Sequence, residues 1–300
     1  MKTIIELKAI LDSVPWKRVD SHVHTHLCDG QPDMTVENIG RKAEEAGIGV
    51  VVLTPHFHKK VFDTSETLYE DSSVEMLVKL RDEIDAYNGG TKFLLSTEAD
   101  ILGVDGEICL NFTDEAVQAL DLVTPTMNYN PLLPLSMVHL TYGRDIDQIH
   151  ESSAYAQAAE AAGGIGEVLK AVYECETNAI LRIPYPKMVG HFFAAHSIVN
   201  DLYSWFGAQE EHLPLMKAGA EKLIAACKVS EAMVDLTGLH PKNEIPLHKR
   251  QKDGFLYDFQ RWFLNRCEAE GIPAYPGSDS HSLSSIGSSL FYGEIYERFD

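Results

Sequence analysis

Short apolar runs alternate with longer amphipathic stretches along nearly all of this chain of 300 residues. The run at 48–53 is β-branched and aliphatic, whereas apolar residues at helical spacing mark one face of 35–46. Strands that are apolar throughout and joined by helices form parallel sheets covered by those helices. The sequence therefore predicts an α/β fold, and about seven such units favour a barrel.

The pattern predicts the following elements. Strands are expected at 19–25, 48–53, 93–97, 122–125, 188–193, 232–237 and 273–276. Helices are expected at 35–46, 73–87, 116–120, 146–162, 167–181, 213–228 and 255–270, and the proline-containing segment 130–143 is predicted to be a loop. Because no linker, low-complexity segment or short repeat interrupts the chain, we expect one domain over residues 1–300.

Composition excludes several classes of protein. The formal net charge is −20, with 25 basic and 45 acidic residues, which disfavours a long nucleic-acid partner and an anionic membrane surface. The five cysteines are widely spaced and form no C-x-x-C motif, which indicates reduced thiols and a cytoplasmic protein. No membrane span or signal peptide is expected.

Polar residues with metal-binding side chains cluster at the ends of the predicted strands. In a parallel α/β barrel the carboxyl ends of the strands meet at one mouth, so residues distant in sequence would converge there. These residues are His22, His24 and His26; His56 and His58; Glu98 and Asp100; Asn128; His191 and His196; and Asp279 and His281.

Two pairs in this set have the spacing of metal ligands. His22 and His24 are two residues apart on a strand, so both rings project to the same side, and Asp279 and His281 have the same spacing. Imidazole with carboxylate favours Zn, Mn or Fe over Mg or Ca. A carboxylate such as Glu98 can bridge two ions, as two-metal hydrolytic sites require.

The ordered motifs resemble those of the PHP (polymerase and histidinol phosphatase) family over about residues 18–290. Members of that family have a distorted (β/α)7 barrel, bind two or three metal ions and hydrolyse phosphate esters, so the resemblance implies the same features here. The matching segments are His22-Val23-His24-Thr25, Cys28-Asp29-Gly30, Leu53-Thr54-Pro55-His56, Glu98-Ala99, Gly190-His191 and Ser278-Asp279-Ser280-His281.

The resemblance implies three metal sites. His22, His24, Glu98 and Asp279 match one site, and Asp29, His56 and His281 match a second. Glu98 and His191 match two ligands of the third site, where the family has a further histidine after the fourth strand. This chain has Asn128 at that place, and we advance the hypothesis that His139 substitutes for the missing ligand.

Two further pairs of residues are candidates for roles near the site. His26 and His58 are additional to the family pattern and could contact the ions or the substrate. Arg144 and Arg182 could bind a phosphate group, although neither lies in a recognised motif.

The resemblance implies a phosphoesterase that uses two or three divalent ions (Zn, Mn or Fe) and acts on a small phosphomonoester. Histidinol phosphate, a nucleotide and a sugar phosphate are all open as substrates. A hydroxide formed from a metal-bridging water would attack phosphorus, and a protonated histidine or aspartate of the site would protonate the leaving group. Glu98, Asp279 and His281 are the expected catalytic residues.

Two other functions stay open. An amidohydrolase-type barrel also begins with H-x-H and ends with an aspartate after its last strand, but it usually carries a bridging lysine in mid-chain. A PHP-like domain with an impaired metal site could instead be a binding module without activity, and Asn128 is the feature that favours this alternative.

Overall fold

The computed structural model shows an α/β fold of parallel strands and helices, as the alternating pattern predicted. The structure describes residues 1–57, 73–127, 160–190, 210–237 and 254–288.

Helix boundaries follow local capping signals in the sequence. The Thr35 side chain accepts a hydrogen bond from the Asn38 backbone and begins α2, and Gly47 ends that helix with a φ of 78°. The α-helices of the described residues are α1 Ile4–Leu11, α2 Val36–Ala46, α3 Val74–Ala86, α4 Asp114–Ala119, α5 Ile165–Arg182, α6 Leu213–Val229 and α7 Gly254–Ala269.

The described strands form three sheets of three parallel strands each, in the orders β1-β2-β4, β3-β5-β6 and β7-β8-β9. Two strands that were not predicted follow the second and third predicted strands after short breaks, so that β3 follows β2 and β5 follows β4. The strands are β1 Val19–Val23, β2 Val50–Leu53, β3 His56–Phe57, β4 Lys92–Leu95, β5 Glu98–Asp100, β6 Thr124–Thr126, β7 Met188–Val189, β8 Met233–Asp235 and β9 Ala274–Tyr275.

Backbone contacts connect the edges of these sheets. Val123, just before β6, forms a parallel bridge with Lys187, just before β7. The segment after β9 runs beside β1, where the Ser21 N–H donates to the Pro276 carbonyl and the Asp279 N–H donates to the His22 carbonyl. These bonds bring the last part of the described chain to the first strand.

Helix α1 was not predicted. A capping box of Thr3 and Glu6 begins it, and Leu7 and Leu11 are fully buried in one of three apolar clusters, against residues such as Val50 of β2. The predicted loop 130–143 and most of the predicted helix 146–162 lie outside the described residues. Within the described ranges, no helix is both long and apolar enough to cross a membrane.

Candidate metal centre

The polar cluster lies at and just beyond the carboxyl ends of β1, β2 and β4. His22 lies on β1 and His24 follows it, His56 begins β3, and Glu98 begins β5. Asp279 and His281 lie on the segment that pairs with β1 after β9, and Asp29 lies on the loop after β1. The parallel arrangement thus brings together residues separated by more than 250 positions, and the described part of the predicted ligand set converges.

Glu98 occupies the centre of this cluster and is completely buried. Its Oε2 atom lies 3.3 Å from Nε2 of His22, 3.4 Å from Nε2 of His24 and 3.2 Å from Nδ1 of His56. One carboxylate oxygen therefore faces three imidazole nitrogens, which is an arrangement suited to a shared cation or shared protons.

His24 is buried between two carboxylates. Its Nδ1 lies 3.0 Å from Oδ1 of Asp29, and its Nε2 lies 2.9 Å from Oδ1 of Asp279. Within the described ranges, neither ring nitrogen makes a hydrogen bond of acceptable geometry, and Oδ1 of Asp29 is likewise without one. Donor atoms that are close but not aligned for hydrogen bonding resemble the ligands of a common ion more than a hydrogen-bonded pair.

Asp29 gathers the second group of residues. Its Oδ2 lies 3.1 Å from Nε2 of His56 and 2.9 Å from Nε2 of His281. The His281 ring stacks on that of His24, with centroids 4.0 Å apart. Because the His281 side chain is 41% exposed and Asp279 is 33% exposed, these two form the open side of an otherwise buried cluster.

Among the residues that the structure describes, two groups could each hold a metal ion. The ligand atoms of each group lie within 4.8 Å of one another, and the groups are His24, Asp29, His56 and His281, and His22, His24 and Asp279. Ligands that bind one ion at about 2.1 Å stand about 3.0–3.5 Å apart, close to most distances found here. The nitrogen and oxygen ligands thus fit a divalent transition metal, with His24 common to both groups.

The carboxylates of the cluster also favour the binding of positive charge. Burial alone would lower the pKa of His22, but the carboxylates of Asp235 and Glu98 raise it to about 10. Burial would likewise lower the pKa of His24, which Asp279 and Asp29 raise well above its ordinary value. Protons or divalent cations can supply this positive charge, because both neutralise the buried carboxylates.

The local backbone conformation directs two segments toward the histidine and carboxylate cluster. Asp279 has a φ of 52°, in the left-handed region that aspartate tolerates better than most residues. At Gly30 a Cβ would lie 2.7 Å from the Thr25 carbonyl oxygen, so glycine lets the loop that carries Asp29 fold back on the end of β1.

Other predicted residues have different outcomes. His26 lies outside both groups, and its Nε2 faces Oε1 of Glu83 on α3 at 3.3 Å, since the chain turns after β1. Arg182 pairs with the exposed Asp105 at 2.8 Å. Asp100 is buried on β5 but belongs to neither group. His58, Asn128, His139, Arg144, His191 and His196 lie outside the described residues.

Two buried carboxylates at the site were not predicted. Oδ2 of Asp235, on β8, lies 2.8 Å from Nδ1 of His22, and Oδ1 of Asp20, on β1, accepts from the Ser278 N–H at 2.8 Å. Burial is the main reason that the pKa of Asp20 is raised, to about 6. A charged residue inside a predicted apolar strand was the signal available in the sequence, because such residues are rarely buried without a partner.

Comparisons with known proteins bear on the fold. No protein-family model matches the chain, and no curated protein matches it. A candidate histidinol phosphatase from Listeria monocytogenes has a similar structure, with a TM-score of 0.61, 17% identity, and coverage of 90% of this chain and 97% of that one. A histidinol phosphate phosphatase from Lactococcus lactis, complexed with zinc, L-histidinol and phosphate, also has a similar structure. Its TM-score is 0.53 and its sequence identity is 13%, with 94% of each chain covered.

Identities this low show a common fold and nothing finer. The resemblance predicted from the ordered motifs is confirmed at that level, because both of these structures are described as histidinol phosphatases and both are covered almost completely. This chain therefore has the fold of the histidinol phosphatases to which its motifs are similar.

Proposed function

We propose that this protein is a metal-dependent phosphatase that hydrolyses a small phosphomonoester. The observation that carries the proposal is the convergence of two potential metal-binding groups, linked by His24 and lying around Glu98, at the ends of parallel strands. The likeness to a fold found in histidinol phosphatases supports the same conclusion.

The proposed ligands are those that the motifs predicted. His22, His24 and Asp279 would hold one ion, while Asp29, His56 and His281 would hold the other together with His24. Glu98 would face both ions, and His191 stays a proposed ligand of a third. Zn, Mn or Fe ions bound here would supply positive charge to phosphoryl oxygens and lower the pKa of a coordinated water.

The side chains divide the remaining work by their exposure. Glu98 is completely buried and is positioned to fix the ions rather than to touch the substrate. Asp279 and His281 are partly exposed, so proton transfer to the leaving group is assigned to one of them. Nδ1 of His281 lies 2.9 Å from the Asp279 carbonyl oxygen, which holds its ring in place.

The substrate is proposed as a class. One of the structures with this fold was solved with L-histidinol and phosphate, which makes histidinol phosphate the first compound to test. Nucleotides and sugar phosphates are the other members of the proposed class. The charge of −20 favours a small substrate over a long nucleic acid, since phosphate binding here would depend on local ions.

We further propose that the strands form the distorted (β/α)7 barrel of the PHP family in a single domain over residues 1–300, and that the protein is cytoplasmic. The bonds from Ser21 to Pro276 and from Asp279 to His22 support closure, because they join the chain after β9 to β1. The bridge between Val123 and Lys187 supports continuity between the sheets on either side of it.

The test is a metal analysis combined with a substrate panel. The wild-type protein should contain at least two transition-metal ions per chain and hydrolyse p-nitrophenyl phosphate and at least one natural phosphomonoester. Asp279→Asn should lower kcat/KM by about 100-fold or more, because changes in residues that merely support metal ligands already cost 10–100-fold.

Asp105→Asn is the matched control, since Asp105 is an exposed aspartate that pairs with Arg182 away from the cluster. It should retain full metal content and activity. Activity that survives Asp279→Asn would refute the site assignment. Turnover of amide or lactone substrates alone would instead favour an amidohydrolase-type enzyme, and a wild-type protein with one ion or none and no turnover would favour a binding module.

A further inference from the structure

The contact between Asp235 and His22 lies beneath the proposed metal ligands. Both side chains are completely buried, and Oδ2 of Asp235 lies 2.8 Å from Nδ1 of His22. The other nitrogen of the same ring, Nε2, faces Glu98 at 3.3 Å and Asp279 at 3.8 Å. Asp235 therefore contacts the ring nitrogen that faces away from the cluster.

The other oxygen of Asp235 is held by three donors. Oδ1 accepts from Oγ of Ser21 at 2.8 Å, from Oγ1 of Thr237 at 2.7 Å and from the Thr237 backbone N–H at 3.0 Å. A Cβ at Gly277 would overlap Thr237 and Asp235 and press on Cβ of His22. The glycine thus lets the segment after β9 close over this pair, and the carboxylate has one defined orientation.

We infer that Asp235 is a positioning residue that keeps the proton of His22 on Nδ1, so that the lone pair of Nε2 is directed at the ion held with His24 and Asp279. This inference rests on the proposed function, because it needs an ion at the cluster. Carboxylates that accept from the remote nitrogen of a ligating histidine fix its tautomer and its ring orientation.

The three donors to Oδ1 make the role separable from simple packing. In Asp235→Asn, the Thr237 N–H can only donate, so the amide oxygen should take the Oδ1 position. The amide nitrogen would then face Nδ1 of His22, which must accept, and the proton would move to Nε2. The more conservative variant should therefore block metal binding at His22 more strongly than Asp235→Ala, which leaves either tautomer free.

The experiment measures zinc affinity by competition with a chromophoric chelator. Asp235→Asn should weaken the zinc site that involves His22 by about 100-fold and Asp235→Ala by about 10-fold. Asp121→Asn, which changes another buried aspartate, should leave zinc affinity unchanged. Thermal unfolding of the metal-free variants would identify any loss of fold.

A second measurement needs no Asp235 variant. Nitrogen-15 NMR of the zinc-loaded wild-type protein should show a hydrogen-bonded proton on Nδ1 of His22 and zinc on Nε2, with His22→Gln used for assignment. Zinc on Nδ1, or an alanine variant as weak as the asparagine variant or weaker, would overturn the inference while leaving the proposed function intact. A wild-type protein that binds no zinc, manganese or iron would overturn both.

Discussion

Buried carboxylates lie both just before β6 and within the histidine cluster, but different partners compensate them. Asp121, just before β6, accepts from the Leu95 N–H at 2.8 Å and pairs with Arg81 at 2.6 Å and Lys2 at 3.0 Å. In the histidine cluster, by contrast, Glu98 and the site aspartates face histidine rings. Arginine and lysine stay charged at neutral pH, whereas a histidine exchanges its proton readily.

The difference separates a structural charge from an exchangeable one. The Arg81 guanidinium pairs with Asp121, and its Nε also donates to the Ala119 carbonyl at 2.8 Å, which ties α3 to the end of α4. The imidazoles around Glu98 can instead give up protons to a divalent cation. Only the second arrangement lets ligand binding alter the charge of the cluster, as a metal centre requires.

Glu176 on α5 represents a third kind of buried carboxylate. It is 3% exposed, and its Oε2 has no hydrogen-bond partner among the residues that the structure describes. Burial raises the pKa of this side chain to about 8, so it is largely neutral at pH 7. Cationic side chains therefore compensate the buried acid before β6, histidines compensate those of the cluster, and protonation compensates the one on α5.

The largest effect is expected from Glu98→Gln. The amide keeps the shape of the side chain but removes the charge that faces three histidines, so we expect one ion per chain to be lost and kcat/KM to fall more than about 100-fold. Elemental analysis and a phosphatase assay check this. Unchanged metal content would show that the histidine cluster and the surroundings of Asp121 do not differ in the proposed way.

A smaller effect, of the opposite kind, is expected from Asp121→Asn. This change leaves Arg81 without its buried partner, so the free energy of unfolding should fall by about 3 kcal/mol in denaturant titrations. Metal content and kcat/KM should stay at wild-type values under native conditions. A loss of metal with no change in stability would contradict the assignment of Asp121 to structure alone.

The parts of the fold that local signals specify could be predicted from the sequence. Thr35 and Gly47 gave both ends of α2, because capping depends on neighbours in sequence. Strand β3, which follows Thr54-Pro55, was missed, since an apolar run does not reveal where pairing passes from one sheet to another. Helix α1 was missed as well, because its burial depends on contacts with distant strands.

The site shows the same limit more sharply. The order of motifs brought His22, His24 and Glu98 into one prediction, and the structure places them together. Asp235 carried no motif, and its relation to His22 spans 213 residues, so only the pairing of the strands reveals it. For His26, its place at the end of the first predicted strand favoured the site, whereas the turn after β1 directs its ring toward Glu83.

The smallest effect concerns the pH dependence of stability at Glu176. The unfolded side chain ionises near pH 4.5 and the folded one near 8, so between these values the folded state holds a proton that the unfolded state lacks. The wild-type free energy of unfolding should therefore fall as the pH rises through this window. Glu176→Gln removes this pH dependence. The free energy of unfolding of the variant should therefore rise by about 2 kcal/mol relative to that of the wild type as the pH increases from 6 to 8.

Denaturant titrations at several pH values check this, with Glu174→Gln as the control, because Glu174 lies on the same helix and is exposed. The control should follow the wild-type curve. If the difference between Glu176→Gln and the wild type did not change with pH, the carboxylate would have the same pKa in both states. Cations or hydrogen bonds would then have to stabilise its charge, and the contrast with Asp121 would disappear.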